Sequence, residues 1–130
     1  MPGFNPYLQY RDVKYNTADQ GVLIMTSFDG AIRFCRLAKE CLERGEAAER
    51  GKWLVKAFDV VTELRKSVKP TGNGEIARHL DEAYTYIGRQ LTLANVMNRL
   101  ENLNNALMLL ESMRDAWREV VHKERAAAAI

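Results

Sequence analysis

"LNNALMLLESMRDAWREV", residues 103–120, decides the fold. Leu103, Ala106, Leu110, Met113, Trp117 and Val120 recur at alternating steps of three and four, the spacing that lines one face of an α-helix. A strand would instead alternate apolar and polar residues with a period of two. The reading from this stretch is therefore helical, and the same test extends outward to the rest of the chain.

Upstream, Ile76, Leu80, Ala83, Ile87, Leu91 and Ala94 form a second such stripe. Asn73 is positioned to cap the helix that carries it, and Asn98-Arg99-Leu100-Glu101 reads as a capping signal for the next. "KPTGNG", residues 69–74, breaks the chain before it, since a proline and two glycines do not prolong a helix. Another helix is predicted over residues 47–68. Trp53, Ala57, Val60 and Leu64 lie on one line of it, with Leu54, Phe58 and Val61 beside them, and Gly51 weakens its start.

The earliest helix opens at the capping box Thr17-Ala18-Asp19-Gln20 and ends at Gly45. It carries two offset stripes. Ile24, Phe28, Ala31, Cys35, Ala38 and Leu42 make one; Leu23, Ser27, Gly30, Phe34, Leu37 and Cys41 make the other. Together they cover more of the circumference than a single core-facing stripe requires, so this helix is central or presents surplus apolar surface. Four amphipathic helices with short connections predict an all-α antiparallel four-helix bundle over residues 17–125. Residues 1–16 form an irregular leader, and residues 126–130 a fraying tail with no core stripe.

Composition bounds the function. The 130 residues suit one domain, 47% of them hydrophobic and 28% charged. A net charge of +2 from interspersed signs argues against a nucleic-acid surface, which gathers basic residues on one face. Cys35 and Cys41 point in different directions on one helix and are expected to be free buried thiols. No apolar run approaches the ~20 residues that span a bilayer, and no signal-peptide core opens the chain, so a cytoplasmic protein without membrane insertion is expected.

Chemistry is hard to place on this pattern. Glu119 and His122 have the spacing of a carboxylate-bridged metal site, but a second such pair is lacking and Val120 takes the core position. No metal site, no cofactor and no catalytic residue is expected. The notable features are aromatic and apolar. Tyr7, Tyr10 and Tyr15 precede the bundle; Tyr84 and Tyr86 flank the third helix's core line, and Leu93 and Met97 widen its apolar arc. A groove that receives an amphipathic peptide is the expectation. Gly30, in mid-helix, predicts close approach by another backbone, and Arg114, Asp115 and Trp117 read as structural.

Four segments in register resemble the flagellar secretion chaperones called FliS: "NPYLQY" (5–10), "TADQGVLIMTSFDGAIRF" (17–34), "LDEAYTYIGRQLTLAN" (80–95) and "LLESMRDAW" (109–117). Asp19-Gln20 and Phe28 stand where that family commonly has Ser-Pro and Tyr. The resemblance implies a cytoplasmic bundle, not an enzyme, that binds the disordered C-terminal segment of flagellin. Binding would block premature polymerisation and keep flagellin competent for type III export, with a membrane protein of the export gate as second partner. The partner-binding residues so implied are Tyr7, Tyr10, Leu23, Ser27, Phe28, Gly30, Phe34, Tyr84, Tyr86, Leu91, Leu93, Ala94 and Asn95. The leader tyrosines would serve as a lid on the groove or as a docking tag for the gate. Both a monomer and a homodimer fit the free protein. The competing expectation is a bundle adaptor of another secretion or signalling system that binds an amphipathic partner helix.

Overall fold

A computed structural model describes residues 20–69 and 74–129. Its elements are four helices: α1 (Gln20–Arg44), α2 (Ala47–Ser67), α3 (Glu75–Met97) and α4 (Leu100–Ala128). Each packs on its neighbours in the chain, and α4 closes the ring on α1. The neighbours run antiparallel. Arg50 reaches Asn98, Phe58 meets Gly88 and Arg65 pairs with Asp81, so advancing along α2 means receding along α3. Arg36 with Glu111 and Asp29 with Arg114 show the same reversal between α1 and α4.

The predicted stripes are the core. Ile24, Phe28, Ala31, Cys35 and Ala38 of α1 face Leu103, Ala106, Leu110, Met113 and Trp117 of α4, all buried. Trp117 and Phe28 are the largest side chains wholly removed from water, and each such burial stabilises by roughly 1.5–3 kcal/mol. In α2 the core line is Leu54, Ala57, Val61 and Leu64, while Trp53 and Val60 are only half-buried against α1. The helix lies between two partners, α1 and α3, so its apolar residues divide between the centre and both seams. Gly51 does not interrupt it.

The turns correct one expectation about caps. Gly45 ends α1 at φ +73°, with its N–H on the Leu42 carbonyl and the Glu46 N–H on the Cys41 carbonyl, a Schellman arrangement. At the next tight turn Asn98 does not open α4. It closes α3 at φ 53°, and Arg99 precedes α4 in an extended conformation without a side-chain cap. A two-residue connection needs one left-handed residue, and asparagine tolerates that region better than most. Gly74, at φ +74°, takes the position before α3. Asn73 and the capping box at Thr17 lie outside the described residues. The alanine-rich end continues α4 as an exposed extension to Ala128.

Candidate functional site

Between α2 and α3 the bundle surface is open. Two adjoining hollows of about 340 and 240 Å³ share Phe58 and Thr92 as a common wall. Val61, Tyr84 and Gly88 line the larger hollow, and Leu54, Val55, Leu91 and Val96 line the smaller. Gly88 of α3 lines the larger hollow, and the Phe58 ring packs so close to it that a side chain there would meet the ring. That ring is 40% exposed and Val96 is 74% exposed, so the groove offers apolar surface directly to water.

The rim is polar. Arg65 pairs with Asp81, both half-exposed, and Arg50 donates to the Asn98 side chain and to the Asn95 carbonyl, 3.3 Å away. Those contacts pin the two helices together at either end of the groove. A third hollow, about 320 Å³, opens between α3 and α4 beside Tyr86, Met108 and Leu109. Next to it the buried Gln90 accepts hydrogen bonds from Asn102 and Asn105, at 3.0 and 3.2 Å. By contrast, ion pairs close the α1–α4 seam: Arg114, which also bonds Asp115, reaches Asp29, and Arg36 reaches Glu111.

The thirteen residues expected to bind a partner fall into five groups. Tyr7 and Tyr10 lie outside the described residues. Phe28, Tyr84, Leu91 and Ala94 are buried; of these, Tyr84 and Leu91 form groove floor, while Phe28 and Ala94 support the bundle from within. Leu93 and Asn95 line the α2–α3 groove, and Tyr86 lines the α3–α4 hollow. Leu23, Ser27, Gly30 and Phe34 follow the outer seam with α2. Leu23 is exposed, the Ser27 hydroxyl donates to the Leu23 carbonyl, and Phe34 stacks on Trp53. The close backbone approach expected at Gly30 is absent among the described residues, since none of their atoms beyond its own helix turn lies within 4 Å of where its Cβ would stand.

Sequence reading missed the wall itself. By spacing Phe58 is one member of an apolar arc, and Gly88 has no assigned role. A mid-helix glycine on the core side of a stripe was the available signal, since it costs about 1 kcal/mol unless something fills its space. The burial of Cys35 pushes its thiol up to about 12, which leaves it an unreactive core residue. Among the described residues no three His, Cys, Asp or Glu side chains gather as a metal site would require. No described helix is long and apolar enough to cross a membrane.

An antiparallel bundle whose helices part to expose an apolar, polar-rimmed groove defines the class, an all-α helical bundle. The family model for flagellar protein FliS matches residues 3–124, and the chain belongs to the FliS family. It is 30% identical to the flagellar secretion chaperone FliS of Bacillus subtilis (strain 168), over 93% of this chain and 90% of that protein. It is 32% identical to the flagellar secretion chaperone FliS of Salmonella typhimurium (strain LT2), over 78% of this chain and 76% of that one. With the flagellar secretion chaperone FliSB of Pseudomonas aeruginosa the identity is 27%, over 88% and 94%. The family is one of flagellar export chaperones, not of enzymes.

Proposed function

We propose that this protein binds the disordered C-terminal segment of flagellin in the cytoplasm, prevents its premature polymerisation and presents it to the export gate. The observation that carries this reading is the open α2–α3 groove, with Phe58 and Val96 exposed, on a chain of the FliS family. Ordering a disordered segment costs roughly 1–2 kcal/mol per residue for the backbone alone. Two apolar hollows in line, each able to take one or two large side chains, offset part of that cost. The remaining surplus comes from extending the segment over other faces, of which the hollow at Tyr86 and Met108 is one. Apolar residues so covered are withheld from other copies of flagellin.

The test is calorimetric titration with a peptide of the last ~50 residues of the flagellin from the same organism, enough chain to follow several helices of ~30 Å. Heat and a one-to-one complex are expected, weakened when Phe58 is replaced by alanine. No heat and no complex would overturn the reading. The leader carrying Tyr7 and Tyr10 acts in the same proposal as a lid on the groove or as the tag that meets the gate. Deleting residues 1–15 should raise peptide affinity if it is a lid, and leave affinity unchanged while abolishing gate binding if it is a tag.

A further inference from the structure

The outer seam between α1 and α2 differs in kind from the groove between α2 and α3. At its centre the rings of Phe34 and Trp53 stack, 5.7 Å between centroids and 20° apart in plane, both half-buried. Two ammonium groups converge on this pair. Lys56 Nζ lies 5.4 Å from the Trp53 ring centre and 5.9 Å from that of Phe34; Lys52 Nζ lies 5.4 Å from Trp53 on its own account. Cation–π attraction explains each contact singly, but two like charges drawn to one indole repel each other.

Each lysine has an alternative on its own helix, Glu49 three residues before Lys52 and Asp59 three residues after Lys56. The same spacing is used further along α2, where Lys66 pairs with Glu63 at 3.8 Å. Lys52 and Lys56 make no ion pair among the described residues and lean over the aromatic floor instead. Beside that floor Gly30 leaves the surface open. The result is an apolar shelf under two unneutralised cations one helical turn apart, on a bundle whose α1–α4 seam is neutralised.

We propose that the α1–α2 seam docks an acidic amphipathic segment of a partner protein, its apolar side chain on Phe34 and Trp53 and its carboxylates at Lys52 and Lys56. Charge complementarity selects this occupant: a helix with glutamates four residues apart matches lysines four residues apart. A nucleic acid is a poor match, since its affinity grows with the number of phosphates neutralised and, among the described residues, only two lysines stand over this aromatic floor. The seam is separate from the α2–α3 groove, so signals at Phe34 and Trp53 distinguish its occupant from one held at Phe58 and Thr92.

The experiment titrates the isotope-labelled full-length protein with a designed peptide of about 18 residues, five helical turns. It carries a leucine stripe flanked by glutamates four apart. The Trp53 indole and Phe34 amide signals should shift. Replacing the peptide's glutamates by glutamine, or making Lys52→Gln with Lys56→Gln, should each weaken binding about tenfold, because each exposed charge pair contributes a factor of up to about five. Both lysines are exposed, so an unchanged far-ultraviolet spectrum is expected for the double variant. Shifts confined to Phe58 and Thr92, equal affinity for the glutamine peptide or the double variant, or tighter binding of a single-stranded oligonucleotide at Trp53 would each overturn the proposal.

Discussion

The ring of Phe58 lies where a side chain on Gly88 would begin: a Cβ at Gly88 would stand 3.2 Å from Phe58 Cε2. One aromatic residue on α2 and one missing side chain on α3 thereby shape the groove. Replacing Gly88 by alanine sets two effects against each other. Helix propensity favours alanine by about 1 kcal/mol, whereas the contact is tighter than most and the ring must give. Since Phe58 is 40% exposed, it can swing outward at small cost. Gly88→Ala should therefore change stability by no more than about 1 kcal/mol in urea unfolding, while the displaced ring narrows both hollows and weakens binding of the flagellin peptide. Unaltered calorimetric affinity would place the peptide elsewhere on the bundle.

Asn98 combines a backbone role with a side-chain role. Its φ of 53° turns α3 into α4, and its side-chain oxygen accepts from the Arg50 guanidinium. Asn98→Gly removes the bond and keeps the turn; Asn98→Ala removes the bond and strains the turn. The alanine variant should be less stable than the glycine variant by about 1 kcal/mol, the penalty for a Cβ in the left-handed region. Thermal melts of the pair read that difference directly.

Gln90 is the buried polar residue of α3, and its carbonyl oxygen is shared by the amides of Asn102 and Asn105 on α4. Gln90→Ala leaves both donors without this acceptor and opens space between the helices. A loss of about 1–3 kcal/mol follows from the unmade bonds. A double-mutant cycle with Asn102→Ala should show coupling between the two positions, and strict additivity would mean the network is immaterial to stability.

Alkaline pH tests the core thiol. Burial raises Cys35 from 9.0 to about 12, so above pH 9 the unfolded chain releases this proton while the folded chain still holds it. Folding stability attributable to Cys35 is intact below pH 9 and declines as pH rises from 9 toward 12. The slope approaches about 1.4 kcal/mol per pH unit. The wild type should lose stability across that window more steeply than Cys35→Ala, measured by urea midpoints at matched pH. Parallel curves for the two proteins would contradict the burial argument.

The helices were legible because their apolar residues keep a helical period: Leu103 to Val120 and Ile76 to Ala94 were placed in the core from spacing alone, and most of their stripe members are buried. Breaks at Gly45 and at 69–74 were legible because glycine and proline act through backbone geometry, a local property. The groove was not. Leu23 and Cys41 belong to one stripe by spacing, yet Leu23 is 58% exposed and Cys41 is buried. Tyr84 and Tyr86 both flank the core line of α3, yet one forms groove floor and the other reaches the opposite hollow. Spacing gives a direction around one helix axis; exposure depends on how far away the neighbouring helix lies there.

The amino-acid order by itself determined four amphipathic helices, where three of them turn, a free and inert Cys35, and a likeness to the FliS chaperones carried by four short segments. Those rest on interactions within a turn or two of chain, or on residue identities in order. Only the tertiary structure decided that Asn98 closes one helix instead of opening the next, that Phe58 folds over Gly88 to divide a groove, and that Lys52 and Lys56 lean over Phe34 and Trp53. The contacts of Phe58 with Gly88, Arg50 with Asn98 and Lys56 with Phe34 each join residues from two helices, and such pairs exist only after the antiparallel register brings distant parts of the chain face to face.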